Sequence, residues 1–125
     1  MAEFGKQMTY TMLAGADLSA VQYHIMRDLA SNRQTNIASL ETNTNVIGVL
    51  QNKPAATNRG ATIAYAGMSK VVAGGVVTMG DLVTTNSSGR GATAGSGDMV
   101  VGRALQTSAN DGEVITCVLY PPYLL

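Results

Sequence analysis

Short runs of β-forming residues recur along this chain at roughly 8–12-residue spacing, each closed off by Gly, Asn, Asp or Ser. β-Branched side chains lose rotamer freedom in a helix but pack well on a pleated surface, so such runs favour strands. The runs fall at residues 22–27, 36–40, 45–51, 61–66, 70–73, 76–78, 82–85, 99–102 and 113–119. Within 36–40 and 61–66 apolar and polar residues alternate with the period of two that a half-buried strand requires. The run 61–66 is expected to stop at Gly67. Residues 18–31 are the one stretch that could be helical, yet Tyr23, Ile25 and Arg27 alternate there as in a strand. The expected fold is all-β, a small barrel or sandwich. At 125 residues the chain has the size of one domain. The expected division is a single β-rich domain over 18–125, preceded by an arm over 1–17. In that arm Gly5, Gly15 and intervening polar residues interrupt any helical stripe through Phe4, Met8, Tyr10 and Met12.

A repeat is embedded in the pattern. Val46-Ile47-Gly48 leads through Leu50-Gln51 and a loop to Gly60 and the alternating run 60–65. Val100-Val101-Gly102 leads through Leu105-Gln106 and a loop to Gly112 and the run 112–117. This predicts two similar hairpins packed face to face in one small barrel. Gly48 and Gly102 should lie where a strand bends or another backbone approaches closely.

Charge narrows the function. Eight basic and eight acidic residues cancel, and charged residues make up only 13% of the chain. A globular domain usually carries about 25%. No basic patch is available for nucleic acid or an anionic membrane. No apolar run approaches the roughly 20 residues of a membrane span, and residues 1–10 lack the layout of a signal peptide, so synthesis in a cytoplasm is expected. Interface cores are depleted in charge, which is consistent with a chain that spends much of its surface on partners.

No set of residues for chemistry emerges. Cys117 and His24 are each the only residue of their kind, which leaves no disulfide, no thiolate cluster and no His-rich metal site. The glycine-rich stretch 89–97 has the composition of a phosphate cradle, but a strand follows it where a helix N-terminus is needed. It therefore reads as a hairpin loop. Asp81 directly precedes a strand and reads as a turn residue rather than a general acid. Asp98 and Asp111 sit in turns too. Ser69 and Lys70 are adjacent on a strand and point to opposite faces, so they cannot act as nucleophile and base. No catalytic residue, cofactor, metal or small-molecule substrate is expected.

Several turns and bent strands together resemble the head-decoration, or capsid cement, proteins of tailed phages. They are Gln22-Tyr23, Ile47-Gly48-Val49-Leu50-Gln51-Asn52-Lys53-Pro54, Gly60-Ala61-Thr62-Ile63, and Gly67 through Gly75. Gly80-Asp81-Leu82-Val83, Gly89-Arg90, Val101-Gly102-Arg103-Ala104-Leu105 and Gly112-Glu113-Val114-Ile115 complete the series. The resemblance covers about residues 17–121. It implies a compact fold of the β-tulip or β-clip sort and a non-enzymatic virion protein on the capsid exterior. Such a protein stabilises the expanded shell by bridging major capsid subunits, as a homotrimer at three-fold positions. By position, the family's capsid-binding arm would correspond to 1–17, with Phe4, Met8, Tyr10 and Met12 as anchors. Removing residues 1–16 is then expected to leave a folded domain that attaches weakly. Gly48, Gly67, Gly80, Asp81 and Gly102 would serve the fold. The alternative is a glycan-binding β-clip module, disfavoured by the absence of Trp and the single Phe.

Overall fold

A computed structural model describes residues 6–39 and 45–125; Phe4 and Leu40 lie outside that set. The described residues contain nine strands and no helix. They are β1 (Met8–Ala14), β2 (Ile25–Asp28), β3 (Gln34–Ile37), β4 (Val46–Leu50), β5 (Gly60–Gly74), β6 (Leu82–Thr85), β7 (Gly91–Thr93), β8 (Met99–Ala104) and β9 (Asp111–Leu124). The all-β expectation holds, and the boundaries differ in instructive places. Two expected strands on either side of Gly67 are one continuous 15-residue strand, β5. Gly67 has φ +89, open to glycine at low cost, so the chain bends there without losing its pairing. Residues 76–78 form only an isolated bridge, Val77 to Ser108. The glycine-rich stretch contains β7. β9 runs on through Pro121 and Pro122 after its pairing with β5 ends at Leu119, where missing N–H groups cost nothing on the unpaired side.

The nine strands form one mixed sheet that closes on itself twice. β1 pairs parallel with β3, β3 antiparallel with β2, β2 with β4, β4 with residues 60–66 of β5, and these again with β1. From Gly67 the same strand pairs antiparallel with β9 and parallel with β7, and β7–β6–β8–β9 completes a second ring. The two rings have the same strand order and the same pairing senses. The repeat visible in two hairpins therefore extends over the whole structure, and each hairpin belongs to its own ring.

The correspondence reaches individual atoms. In the first ring Tyr23 N–H donates to Leu50 O at 2.8 Å, Leu50 N–H to His24 O at 3.0 Å, and Gln51 N–H to Thr62 O at 2.8 Å. In the second ring Gly80 N–H donates to Ala104 O at 2.8 Å, Ala104 N–H to Asp81 O at 2.9 Å, and Leu105 N–H to Thr116 O at 2.9 Å. Tyr23 and Gly80 share a left-handed backbone, with φ 65 and 94. The cores match as well. Ala14, Leu18, Met26, Leu50, Ala61 and Ile63 cluster in the first ring. Their counterparts Ala73, Val77, Val83, Ala104, Ile115 and Cys117 belong to the cluster that fills the second. That second cluster also takes in Ile25, Val49 and Ala64, which joins the two rings in one continuous interior.

Strand β1 comes from the segment expected as an arm. Met8, Tyr10 and Met12 alternate with Thr9 and Thr11, a period of two that marks a strand once no helix is sought. β1 pairs with β5 from Met8 to Leu13 and with β3 at Leu13 and Ala14, and Ala14 is fully buried. It is the strand that closes the first ring, so removing residues 1–16 would leave that ring open over Ala61 and Ile63.

The paired glycines make the duplication testable. A Cβ built on Gly48 would run into the carbonyl oxygen of Ala64, and one on Gly102 into that of Val118. Both neighbours are backbone and cannot swing away. Gly48→Ala and Gly102→Ala should each cost about 1–3 kcal/mol, as overpacking does. Gly95→Ala, whose Cβ would meet Asp98 Oδ2 at an ordinary 3.6 Å, should stay within about 0.5 kcal/mol of wild type in urea unfolding.

Candidate functional site

The first ring presents one exposed apolar face whose composition the fold does not require. Met8 is 57% exposed and Tyr10 40%. The Tyr10 ring stacks on Tyr65 with centroids 5.2 Å apart and planes 20° from parallel. The Tyr10 hydroxyl donates to Ile47 O at 3.2 Å. Burial, then Tyr65, then Asp28 push the Tyr10 phenol above its ordinary pKa of 10.0, so it remains a neutral donor. Gln7 secures the start of the strand, its amide donating to Gln51 Oε1 at 3.0 Å and Met68 O at 2.9 Å. Tyr10 faces Ile63 across β1–β5, as Ser69 faces Cys117 across β5–β9. The same scaffold position thus carries a buried serine in one ring and an exposed tyrosine in the other.

The other singled-out residues divide clearly. Met12 packs against the core cluster of the first ring. Phe4 lies outside the described residues. Gly67 admits the backbone of Lys6 into space that a side chain would fill. Gly80 has open space around it, and its left-handed φ of 94 shapes the turn before β6. Asp81 caps that turn, Oδ2 accepting from Thr78 N–H at 3.0 Å and from the Thr93 hydroxyl at 2.9 Å. Tyr65 was not singled out from the sequence; only the register that brings β1 against β5 reveals it as the partner of Tyr10.

An open cleft of about 330 Å³ lies at the junction of the rings, lined by Gln7, Tyr23, Gln51, Ser69, Lys70 and Thr116 among others. The Lys70 ammonium sits 5.8 Å from the centre of the Tyr23 ring, a cation–π contact on the aromatic face a sugar would stack against. Ser69 Oγ donates to Lys70 O at 2.9 Å and accepts from Gln51 Nε2 at 2.9 Å, so its hydroxyl is held in a structural network.

Among the described residues Asp98, Asp111 and Cys117 lie in separate surroundings. Asp98 Oδ2 accepts from Gly95 N–H at 2.7 Å, and Asp111 pairs with Arg90 at 2.7 Å. Cys117 is fully buried in the second ring, and burial pushes its thiol up to about 12, far from a reactive thiolate. Among the described residues no group of three or more His, Cys, Asp or Glu is placed to hold a metal ion.

The family model for phage cement proteins matches residues 2–119, nearly the whole chain. The chain belongs to the phage cement protein family. It is therefore a phage virion structural protein, of a kind that associates with the capsid. In fold, this cement protein is similar to the N base of the head fiber gp8.5 of bacteriophage phi29, known from a crystal structure. That match has a TM-score of 0.63 at 18% identity and covers 91% of this chain and 94% of that one. No curated protein matches the sequence.

In this cement protein His24 gives stability a pH dependence. Its Nδ1–H donates to Gln22 O at 3.1 Å, and Nε2 accepts from Arg90 Nε–H at 3.4 Å. Burial first, and the Arg90 charge after it, lower its pKa from the ordinary 6.5. The folded state thus takes up a proton less readily than the unfolded chain, and stability falls as pH drops below the unfolded value. The melting temperature should be level near pH 7 and fall as pH drops below the ordinary imidazole pKa of 6.5, and His24→Gln should flatten that fall. An unchanged slope in the variant would assign the effect to other groups.

Proposed function

We propose that this cement protein stabilises the expanded head from outside by bridging neighbouring major capsid subunits, as a homotrimer at three-fold positions, with Met8 and Tyr10 in the contact. The observation that carries the proposal is the exposed Met8–Tyr10–Tyr65 face on a strand paired with β5 from Met8 to Leu13. An aromatic already held in place loses little conformational freedom on docking, which is why such residues anchor interfaces. The low charge supports the same reading, since interface cores exclude charge. A lattice of symmetric sites also makes modest affinity per site sufficient. Phe4, which precedes this strand, is proposed to extend the contact.

The test is co-sedimentation of purified protein with expanded, undecorated heads of its phage. Saturable binding near one copy per major capsid subunit is expected, with a trimer by native mass spectrometry of the bound fraction. Because β1 closes the first ring, the arm is tested by point substitution rather than deletion. Met8→Ser with Tyr10→Ser should weaken binding roughly 10- to 30-fold while the melting curve stays cooperative, in line with the loss of an interface anchor. Binding equal to wild type in that variant would remove the face from the contact.

A further inference from the structure

The two rings meet along a short seam, and the chain's one histidine lies at its centre. Three consecutive residues of the first ring, Tyr23, His24 and Ile25, rest on the second. Tyr23 O accepts from Val72 N–H at 3.0 Å, and Ile25 N–H donates to Gly89 O at 2.6 Å. Between these two backbone bonds, His24 Nε2 accepts from Arg90 Nε–H at 3.4 Å. The packing is close, since a Cβ built on Gly89 would lie 3.0 Å from both Ile25 O and Ile37 Cβ. His24 itself is 6% exposed.

The second ring has the same turn without these residues. Leu50 N–H donates to His24 O as Ala104 N–H does to Asp81 O, and His24 N–H donates to Val21 O as Asp81 N–H does to Thr78 O. Tyr23 therefore stands where the second ring has Gly80, and His24 where it has Asp81. Tyr23 and Gly80 both have positive φ, 65 and 94. Glycine adopts that backbone freely, whereas a tyrosine is strained in it and persists there only because its surroundings hold it. Those surroundings are the bond from Tyr23 N–H to Leu50 O at 2.8 Å, the bond from Val72, and the Lys70 ammonium 5.8 Å from the ring centre. Two of the three come from the second ring, so the strain is kept in place by the seam.

Charge at the seam is arranged around the imidazole. Arg90, from the loop between β6 and β7, bonds it directly, and Asp111 at the start of β9 holds that guanidinium by Nη1 at 2.7 Å. Lys70 of β5 lies over the neighbouring Tyr23 ring, and Arg27 of β2 is engaged with Ile37 O at 3.3 Å. A neutral His24 offers Arg90 the lone pair of Nε2. A second proton takes that lone pair and sets two cations against each other, with Asp111 reached only through Arg90.

We propose that His24 is a proton-operated latch between the rings: neutral, it holds Tyr23–Ile25 on the second ring, and protonated, it releases Arg90 and lets that segment open while each ring stays closed. Burial and then the Arg90 charge disfavour the proton in the latched form. The open form gives the imidazole back to water, where it binds the proton more readily, so acid favours opening. The latch belongs to the free protein and rests on no capsid contact.

The test is amide hydrogen exchange of the full chain, followed residue by residue by NMR and corrected for the intrinsic effect of pH. The amides of Ile25 and Val72, whose bonds span the seam, should lose at least about tenfold in protection between about pH 7.5 and 5. Ala14 N–H, bonded to Arg59 O in the first ring, and Leu105 N–H, bonded to Thr116 O in the second, should keep theirs. His24→Gln should abolish the difference, and Arg90→Gln, which removes the second cation, should shrink it. Equal loss at all four amides means global destabilisation and overturns the latch, as does unchanged protection at Ile25 and Val72. A response that persists in full in whichever variant folds overturns it too.

Discussion

Both rings depend on a single strand. β5 closes the first ring against β1 and β4, passes Gly67, and then opens the second against β9 and β7. A strand must satisfy its backbone donors and acceptors on both edges or leave them to water or to another chain. Here the pairings β1–β5 and β5–β9 close the sheet on itself in a chain of zero formal net charge. Gly67 makes the sharing possible. Its left-handed φ turns the strand while the backbone of Lys6 occupies the place of a side chain.

The duplication separates what the scaffold needs from what it carries. Backbone bonds, the left-handed residue before β2 and β6, and the close glycine–carbonyl approaches recur in both rings. Side chains at several equivalent positions differ. Tyr10 stands opposite Ser69 in the correspondence, Tyr23 opposite Gly80, and His24 opposite Asp81. Each ring therefore serves as a control for the other.

Sparse charge and exposed apolar side chains belong together in this protein. A free domain relies on net charge to stay apart from its neighbours, and this one has a formal net charge of +0. Its surface is suited to being covered. The ion pair Arg90–Asp111 also touches His24, next to the start of β2, so it acts where the two rings meet.

The sequence by itself determined the all-β class, because its β-forming runs are too short and too often broken by turn residues for helices. It also marked Gly48 and Gly102 as special, since a glycine inside a buried strand has few other uses. Asp81 was legible as a turn residue for the same local reason: its side chain bonds backbone and hydroxyl groups close by. The full duplication was not legible. Loops of unequal length separate the equivalent strands, and backbone hydrogen bonds can recur while the side chains above them change. β1 showed its alternation in Met8, Tyr10 and Met12, but nothing local says that this strand closes a ring. Only tertiary structure decided that Tyr10 stacks on Tyr65, that Met12 faces the core, and that Val76 and Met79 face solvent while Val77 between them is buried. Each of these is fixed by register between distant strands, a choice made by the whole sheet as it closes.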